Sequence, residues 1–119
     1  MSEKDHQAFR RGVMGIVLLG LLNREDMYGY QMVQEIERLS GGKLTTQEGS
    51  LYPVLYRLEE EGCISNHRVQ VGKRMSRVYY HLEPKGRQRL QELTQDYLDT
   101  TRSVLRIIGV EGGEENDKT

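Results

Sequence analysis

The sequence is poor in residues that mark several classes of protein. Its 119 residues contain no Trp, one Phe, two Pro and one Cys. A single cysteine excludes an internal disulfide. The longest apolar run, Val13 to Leu22, includes two glycines and is well short of the roughly 18 to 20 residues that span a bilayer. With no export signal visible, we predict a cytoplasmic protein that does not contact membranes.

Residues arranged for catalysis or metal binding are also missing. No nucleophile–base–acid set, phosphate-binding loop or paired-carboxylate motif stands out, so we predict no enzymatic activity and no cofactor. His67 and His81 would lie opposite each other in a hairpin folded about Lys73 and Arg74, with Cys63 nearby. Their spacing matches no metal-ligand pattern, so we predict no metal site. Cys63 is expected to be a small core residue.

The most informative segment that is present runs from Gln47 to Ile64. Leu51, Leu55 and Leu58 recur at helical spacing, so one helix face should be buried. The opposite face carries polar and aromatic residues, namely Ser50, Pro53, Tyr56, Arg57 and Glu60. An alternating hairpin follows, with a basic tip and no acidic residue from His67 to Tyr80. This order predicts a winged helix-turn-helix, in which the helix enters the major groove and the wing contacts phosphates.

Periodicity and end signals predict a mainly helical fold with a small β-hairpin wing and a long C-terminal helix. Asp26 is the predicted N-cap of helix two, and Thr45 with Glu48 the capping box of helix three. Gly41 and Gly42 should end helix two, and Gly62 should end helix three. The predicted buried stripe of helix two is Met32, Val33, Ile36 and Leu39. Pro53 should bend helix three, or else delay its start to about Ser50. The predicted helices are 7–22, 28–39, 46–61 and 84–108, and the predicted wing is strand 64–71, tip 72–76 and strand 77–82. We predict a DNA-binding domain over 1–83, a dimerisation helix over 84–108 and a disordered acidic tail over 109–119.

Two helices carry more apolar surface than one small domain can cover. Helix one is apolar nearly all round in its second half, and helix four, about 37 Å long, has a narrow seam of coiled-coil type. The sequence therefore predicts a homodimer. Its interface residues are expected to be Phe9, Val13, Val17, Leu90, Leu93, Tyr97, Thr101, Val104 and Ile108.

The motifs also resemble a known family. Met27-Tyr28-Gly29-Tyr30-Gln31, then Glu48-Gly49-Ser50-Leu51-Tyr52-Pro53, then Arg57 to Gly62 and Tyr79-Tyr80-His81-Leu82, are similar in order and spacing to the PadR family of bacterial transcriptional regulators. The resemblance covers about residues 13–90. It implies a homodimeric repressor of the short, single C-terminal helix type, released from its promoter by a small molecule. Phe9, Val13 and Tyr97 are the expected lining of a cavity for a small aromatic effector. The absence of Trp separates this chain from the multidrug-sensing relative, which holds flat drugs between tryptophans.

The expected partner is double-stranded promoter DNA. Helix three would read bases, the wing would contact phosphates, and the start of helix two has backbone N–H groups that can meet a phosphate. The predicted DNA-binding residues are Tyr28, Gln47, Ser50, Tyr52, Pro53, Tyr56, Arg57, Lys73, Arg74, Arg77 and Tyr79. Arg57 could instead pair with Glu60 or Glu61, Tyr52 could belong to the core, and Tyr30 is expected to pack inside.

Two other functions fit the same residues. The net charge of −1 does not by itself indicate a nucleic-acid partner, so a winged-helix module that binds only proteins is the main alternative. A carrier that uses a cavity in the dimer is the other. The acid-free basic wing and the intact helix-three motif favour DNA binding over both.

Overall fold

The computed structural model describes the backbone of residues 3–110 and the side chains of residues 13–110. The elements are α1 (Glu3–Leu22), β1 (Met27–Tyr28), α2 (Gly29–Leu39), α3 (Glu48–Glu60), β2 (Ile64–Val71), β3 (Met75–Leu82) and α4 (Pro84–Ile108). The three strands form one antiparallel sheet in the order β1-β3-β2. The predicted fold class is confirmed. The predictions for the Phe9 side chain and for residues 111–119 lie outside the described residues.

The core lies where α1, α2, α3 and the sheet meet. The predicted α3 stripe of Leu51, Leu55 and Leu58 is buried, and so is Cys63. The other fully or nearly fully buried apolar side chains are Leu18, Leu19, Leu21, Leu22, Met27, Met32, Ile36, Ile64, Tyr80 and Leu82. Leu39 and Tyr30 were expected inside, but they are 41% and 53% exposed. Tyr30 lies on the side of α2 opposite Met32, and Leu39 is the last residue of the helix.

The start of α2 differs from the prediction. Asp26 is not the N-cap: Tyr28 holds that position, because Met27 and Tyr28 pair with Tyr80 and Tyr79 of β3 as a two-residue strand. The Asp26 carboxylate instead bonds to His81 Nδ1 at 2.8 Å. At the other end, the glycine cap is confirmed. Gly41 and Gly42 adopt positive φ, and the N–H of Gly42 donates to the carbonyl of Glu37 at 2.8 Å.

Helix α3 begins two residues later than the predicted start at Thr46. Its N-cap is Gln47, without a side-chain cap, so the predicted capping box is wrong. The Glu48 carboxylate accepts the Tyr52 hydroxyl instead. The helix continues through Pro53, which lies on the exposed face, where the Gly49 carbonyl can bond to water. Gly62 ends the helix with φ +76°, as predicted.

The wing strands pair from Ile64 opposite Leu82 to Val71 opposite Met75. The return strand therefore begins two residues before the predicted Arg77, and the tip is limited to Gly72, Lys73 and Arg74. The two histidines do not face each other, because His67 pairs with Tyr79 and His81 pairs with Ser65. The hairpin turns about Lys73 alone, and its register differs by two residues from one that would place His67 opposite His81. The described residues contain no cluster of three potential metal ligands.

Close packing fixes the position of the first turn of helix α4. Pro84 lies in its first turn and Ile108 ends it, as predicted. Gly86 is packed so closely that a Cβ atom there would lie 2.1 Å from the carbonyl oxygen of Cys63. The N–H of Glu83 donates to that same carbonyl at 3.0 Å, and its carboxylate accepts the Ser65 hydroxyl at 2.6 Å. Among residues 3–110, no helix is both long and apolar enough to cross a membrane.

Candidate nucleic-acid interface

The outward face of α3 is open to solvent along its whole length. Gln47 precedes this face, and Ser50, Pro53 and Tyr56 lie on it, all exposed, with Tyr56 at 58%. The structure thus places four predicted DNA contacts side by side. A polar and aromatic face of this size at the position of a recognition helix is suited to base edges and phosphates.

Tyr52 differs from those four because it is half-buried. Its hydroxyl donates to Glu48 Oε2 at 2.5 Å, and its ring stacks on that of Tyr56 with 6.2 Å between centroids. The hydrogen bond to the Glu48 carboxylate, together with burial, raises the pKa of Tyr52 to about 12. The pair packs against Gly29, where a Cβ atom would come within 3.0 Å of Glu48 Oε2. Tyr52 and Glu48 therefore lock the first turn of α3 to the first residue of α2.

That contact changes the surroundings of the predicted phosphate position at the start of α2. The Glu48 carboxylate lies beside Gly29, and the backbone N–H of Tyr28 already donates to Gln31 Oε1 at 3.4 Å. A phosphate at this position would meet a negative charge. The sequence could not reveal this, because Glu48 is nineteen residues from Gly29 along the chain.

Arg57 lies at the border between the α3 face and a groove. A Cβ atom at Gly15 of α1 would lie 3.8 Å from its guanidinium, so the side chain extends towards α1. The alternative that Arg57 pairs with a neighbouring glutamate is wrong: Glu61 bonds to Arg89 at 2.9 Å, and no acidic side chain in residues 13–110 forms an ion pair with Arg57.

The groove itself has a volume of about 340 Å³ and lies between α1, the end of α3 and α4. Its lining combines apolar and charged side chains: Gly15, Ile16, Arg57, Leu58, Glu61, Arg89, Leu93, Asp96, Tyr97 and Thr100. Of the predicted effector residues, Tyr97 lines it and Val13 does not. Sequence reasoning missed the other lining residues, because only the packing of α1 across α3 and α4 brings them together.

The wing carries four basic residues and no acidic one. Lys73 and Arg74 are exposed at its tip. Arg68 donates to the Ser76 hydroxyl at 3.3 Å, and the Arg77 guanidinium lies over the ring of Tyr28, 4.3 Å from its centroid. Tyr28, Arg77 and Tyr79 were predicted individually, and the structure brings all three together.

The predicted dimer residues fall into two groups. Val17, Leu90 and Leu93 are half-buried and pack against the chain's own core. Tyr97, Val104 and Ile108 are 42%, 48% and 63% exposed, while Val13 and Thr101 are half-buried. Tyr97, Val104 and Ile108 lie on one face of the outer part of α4, with Thr101 between them.

Comparison with known proteins adds a family to this geometry. Residues 18–92 match the family model described as the transcriptional regulator PadR-like family. The transcriptional regulator YqjI of Escherichia coli is 33% identical over 84 residues, which are 71% of this chain and 39% of YqjI.

Solved structures give the same result. A PadR family transcriptional regulator from Eggerthella lenta superposes with a TM-score of 0.78 and 25% identity, covering 88% of this chain and 89% of that one. Bacillus subtilis PadR in complex with operator DNA superposes with a TM-score of 0.64 and 26% identity, covering 69% of this chain and 47% of that one. The chain therefore spans less than half the length of YqjI and of B. subtilis PadR.

Proposed function

Because the chain belongs to the PadR-like family and is a transcriptional regulator of that family, we propose that it is a homodimeric repressor. It binds a pseudo-palindromic operator in double-stranded DNA and is released by a small-molecule effector. The observation that carries the proposal is the open polar and aromatic face of α3 beside a basic wing without acidic residues. Because a transcriptional regulator must reach DNA, the proposal includes a cytoplasmic location.

In this proposal the α3 face reads the operator. Gln47 and Ser50 are at its start, Pro53 and Tyr56 follow one and two turns on, and Arg57 contacts DNA at its edge. Gln and Arg side chains can pair bidentately with adenine and guanine edges in the major groove. Tyr52 contributes by fixing α3 to α2 through Glu48. The operator complex formed by B. subtilis PadR supports this arrangement.

The wing would supply the sequence-independent part of the affinity. Lys73 and Arg74 at the tip and Arg77 on β3 neutralise phosphates, and Tyr28 and Tyr79 lie beside Arg77. The side chain of Asn66 on β2 is hydrogen-bonded to Glu59 of α3, which ties the wing to the reading helix. Phosphate contacts orient the protein without carrying sequence information.

The dimer would form through α1 and α4. Under this division, residues 1–83 bind DNA, residues 84–108 dimerise, and residues 109–119 are an acidic tail. Two-fold symmetry sets the operator half-sites about one helical turn apart. The effector would bind near Tyr97, with Val13 and Phe9 approaching from helix α1 of the partner subunit. Since Arg57 and Glu61 line the adjoining groove, a ligand there would touch the reading helix directly.

A salt series tests the DNA-binding proposal. Labelled promoter DNA from the protein's own gene is titrated with the wild type and with the Lys73→Ala/Arg74→Ala/Arg77→Ala variant. If each side chain neutralises one phosphate in both subunits, the variant's log–log salt slope should be flatter by roughly five units. Its affinity for random DNA should fall as well.

A matched control removes three positive charges elsewhere, in Lys85→Ala/Arg87→Ala/Arg102→Ala on α4, and should leave the slope nearly unchanged. An unchanged salt slope in the wing variant would show that the wing does not contact the DNA. A wild-type chain that binds no duplex at low salt would contradict DNA binding and favour the protein-binding alternative.

A further inference from the structure

Four side chains lie in contact on one face of the sheet. Tyr28 on β1, Tyr79 on β3 and His67 on β2 occupy one row, because Tyr28 pairs with Tyr79 and Tyr79 pairs with His67. Arg77 is two residues before Tyr79, so it projects from the same face. Arg77 and Tyr28 are therefore diagonal neighbours across two strands, within reach of a long side chain.

The contacts within this row are specific. The Arg77 guanidinium carbon is 4.3 Å from the centroid of the Tyr28 ring, a cation–π distance. The Tyr28 ring meets Tyr79 edge to face, with 5.3 Å between centroids and an interplanar angle of 69°. Tyr79 in turn stacks on His67 at 6.0 Å and 24°. Each ring thus contacts the next, and the positive charge of Arg77 lies at the Tyr28 end of the row.

The Arg77 guanidinium has no acidic partner among the described side chains. Within residues 13–110, no acidic side chain forms an ion pair with Arg77, and β2 and β3 contain no Asp or Glu. The nearby acid Asp26 is bonded to His81, and Glu83 is bonded to Ser65. The guanidinium is therefore held in place by a ring face, which leaves its N–H donors unused by carboxylates.

We propose that Tyr28 is a positioning residue for DNA binding: its ring holds Arg77 in the orientation in which the guanidinium donates to a DNA phosphate. The inference rests on the proposed function and adds separate roles: Arg77 contacts the phosphate and Tyr28 positions Arg77. A guanidinium that lies over a ring face keeps N–H groups at its edge available for bidentate contact with phosphate. Tyr79 and His67 keep the Tyr28 ring from turning away.

The physical advantage is pre-organisation. A free arginine side chain loses rotamer freedom when it binds a phosphate, and that loss weakens binding. Arg77 has already lost much of this freedom in the unbound protein. Lys73 and Arg74, exposed at the tip with no aromatic partner among the described residues, have not. Arg77 should therefore contribute more to affinity than either tip residue.

A double-mutant cycle on operator DNA tests the inference. Tyr28→Leu removes the ring and Arg77→Ala removes the charge, and each should weaken binding roughly tenfold, since two copies act in a dimer. The double variant should bind no more weakly than Arg77→Ala alone. Tyr28→Phe keeps the ring and should stay within about twofold of the wild type. A merely structural role for Tyr28 would weaken binding equally with and without Arg77.

Two further variants keep the test decisive. Tyr30→Leu is the matched control, because Tyr30 is an exposed tyrosine two residues away with no ring contact among the described residues, and it should bind like the wild type. Should Tyr28→Leu fail to fold, Arg77→Lys provides a second arm. Lysine keeps the charge but lacks the planar guanidinium that contacts phosphate bidentately, so affinity should fall, by less than in Arg77→Ala, while the salt slope is retained.

The outcomes separate the two proposals. A wild-type chain that binds no operator overturns the proposed function and this inference together. If the wild type binds but the Tyr28→Leu and Arg77→Ala losses multiply, only the inference is wrong. Wild-type affinity in Arg77→Lys would also overturn it. If Tyr28→Phe loses as much as Tyr28→Leu, the hydroxyl contacts DNA and the ring does not position Arg77.

Discussion

The first half of α4, from Pro84 to Leu93, packs against the winged-helix domain, whereas the half from Tyr97 to Ile108 is largely exposed. In the first half, Gly86 is buried against Cys63, and Leu90 and Leu93 lie on the core. In the second half, Val104 is 48% and Ile108 63% exposed. Both halves have apolar residues at similar helical spacing, so the pattern alone does not distinguish them.

This difference separates two uses of the same helical pattern. An apolar seam that the chain covers itself belongs to the core, and one that continues past the core must be covered by something else or remain in water. The molecule measures 58 Å along its longest axis, and α4 alone is about 37 Å long. We therefore propose that the outer half pairs with a second copy of the chain, whereas the inner half packs on the winged-helix domain.

The largest effect is expected from charging the outer half. Val104→Asp/Ile108→Asp would place four carboxylates in a dimer interface, and burying unpaired charges is strongly unfavourable. The dimer should dissociate, with association weakened on the order of a thousandfold, as measured by sedimentation equilibrium at micromolar concentration. The circular dichroism spectrum should stay helical, because both residues are exposed within a single chain.

The control for this prediction is Ser103→Asp, which adds a charge to the same stretch of α4 but away from the seam. Ser103 is exposed, and its hydroxyl donates to the Asp99 carbonyl within its own helix. This variant should remain dimeric. A wild type that sediments as a monomer would show that the exposed half of α4 has another role.

A smaller but still large effect is expected in the inner half. Gly86→Ala would place a Cβ atom 2.1 Å from the Cys63 carbonyl oxygen and 2.7 Å from a Leu82 methyl carbon, so α4 must shift. We expect a loss of about 2 to 3 kcal/mol in the free energy of unfolding. Urea denaturation at one fixed protein concentration measures it, since self-association would make stability concentration-dependent.

Gly49→Ala is the matched comparison for that experiment. Gly49 is also helical, but a Cβ atom there meets nothing within 4 Å. The change should stabilise α3 by up to about 1 kcal/mol, because alanine favours helix over glycine. If Gly86→Ala proved as stable as the wild type, the close contact would not be what fixes the inner half of α4.

The sequence predicts those parts of the fold that depend on local pattern. Leu51, Leu55 and Leu58 mark α3 by their spacing, Gly62 marks its end, and Pro84 the start of α4, and all of these predictions are confirmed. The family resemblance drawn from the motifs is confirmed as well. These features depend on residues within a few positions of one another, where spacing and backbone preference decide the outcome.

The predictions that failed depend on distant partners. Asp26 has the residue type of an N-cap, but the pairing of Met27 with Tyr80, fifty-three residues later, moves the cap to Tyr28. The wing register differs by two residues from the predicted pairing of His67 with His81, so that His67 lies opposite Tyr79. The contact of Arg77 with the Tyr28 ring depends on that register and on β1, so no local pattern could have indicated it.

The smallest effect is expected at the ion pair that joins α3 to the inner half of α4. Glu61 and Arg89 meet at 2.9 Å, but their side chains are 37% and 32% exposed, and exposed pairs contribute little to stability. The hydrogen bond to Glu61 raises the pKa of Arg89, which stays charged throughout the ordinary pH range. Glu61→Gln should therefore reduce the urea midpoint only slightly, by far less than Gly86→Ala, and the difference should vanish in 1 M salt, where charges are screened. Glu60→Gln, on the exposed face one residue earlier, is the control for charge alone. A loss in Glu61→Gln as large as that in Gly86→Ala would mean that electrostatic attraction, and not steric fit, holds α4 to the reading helix.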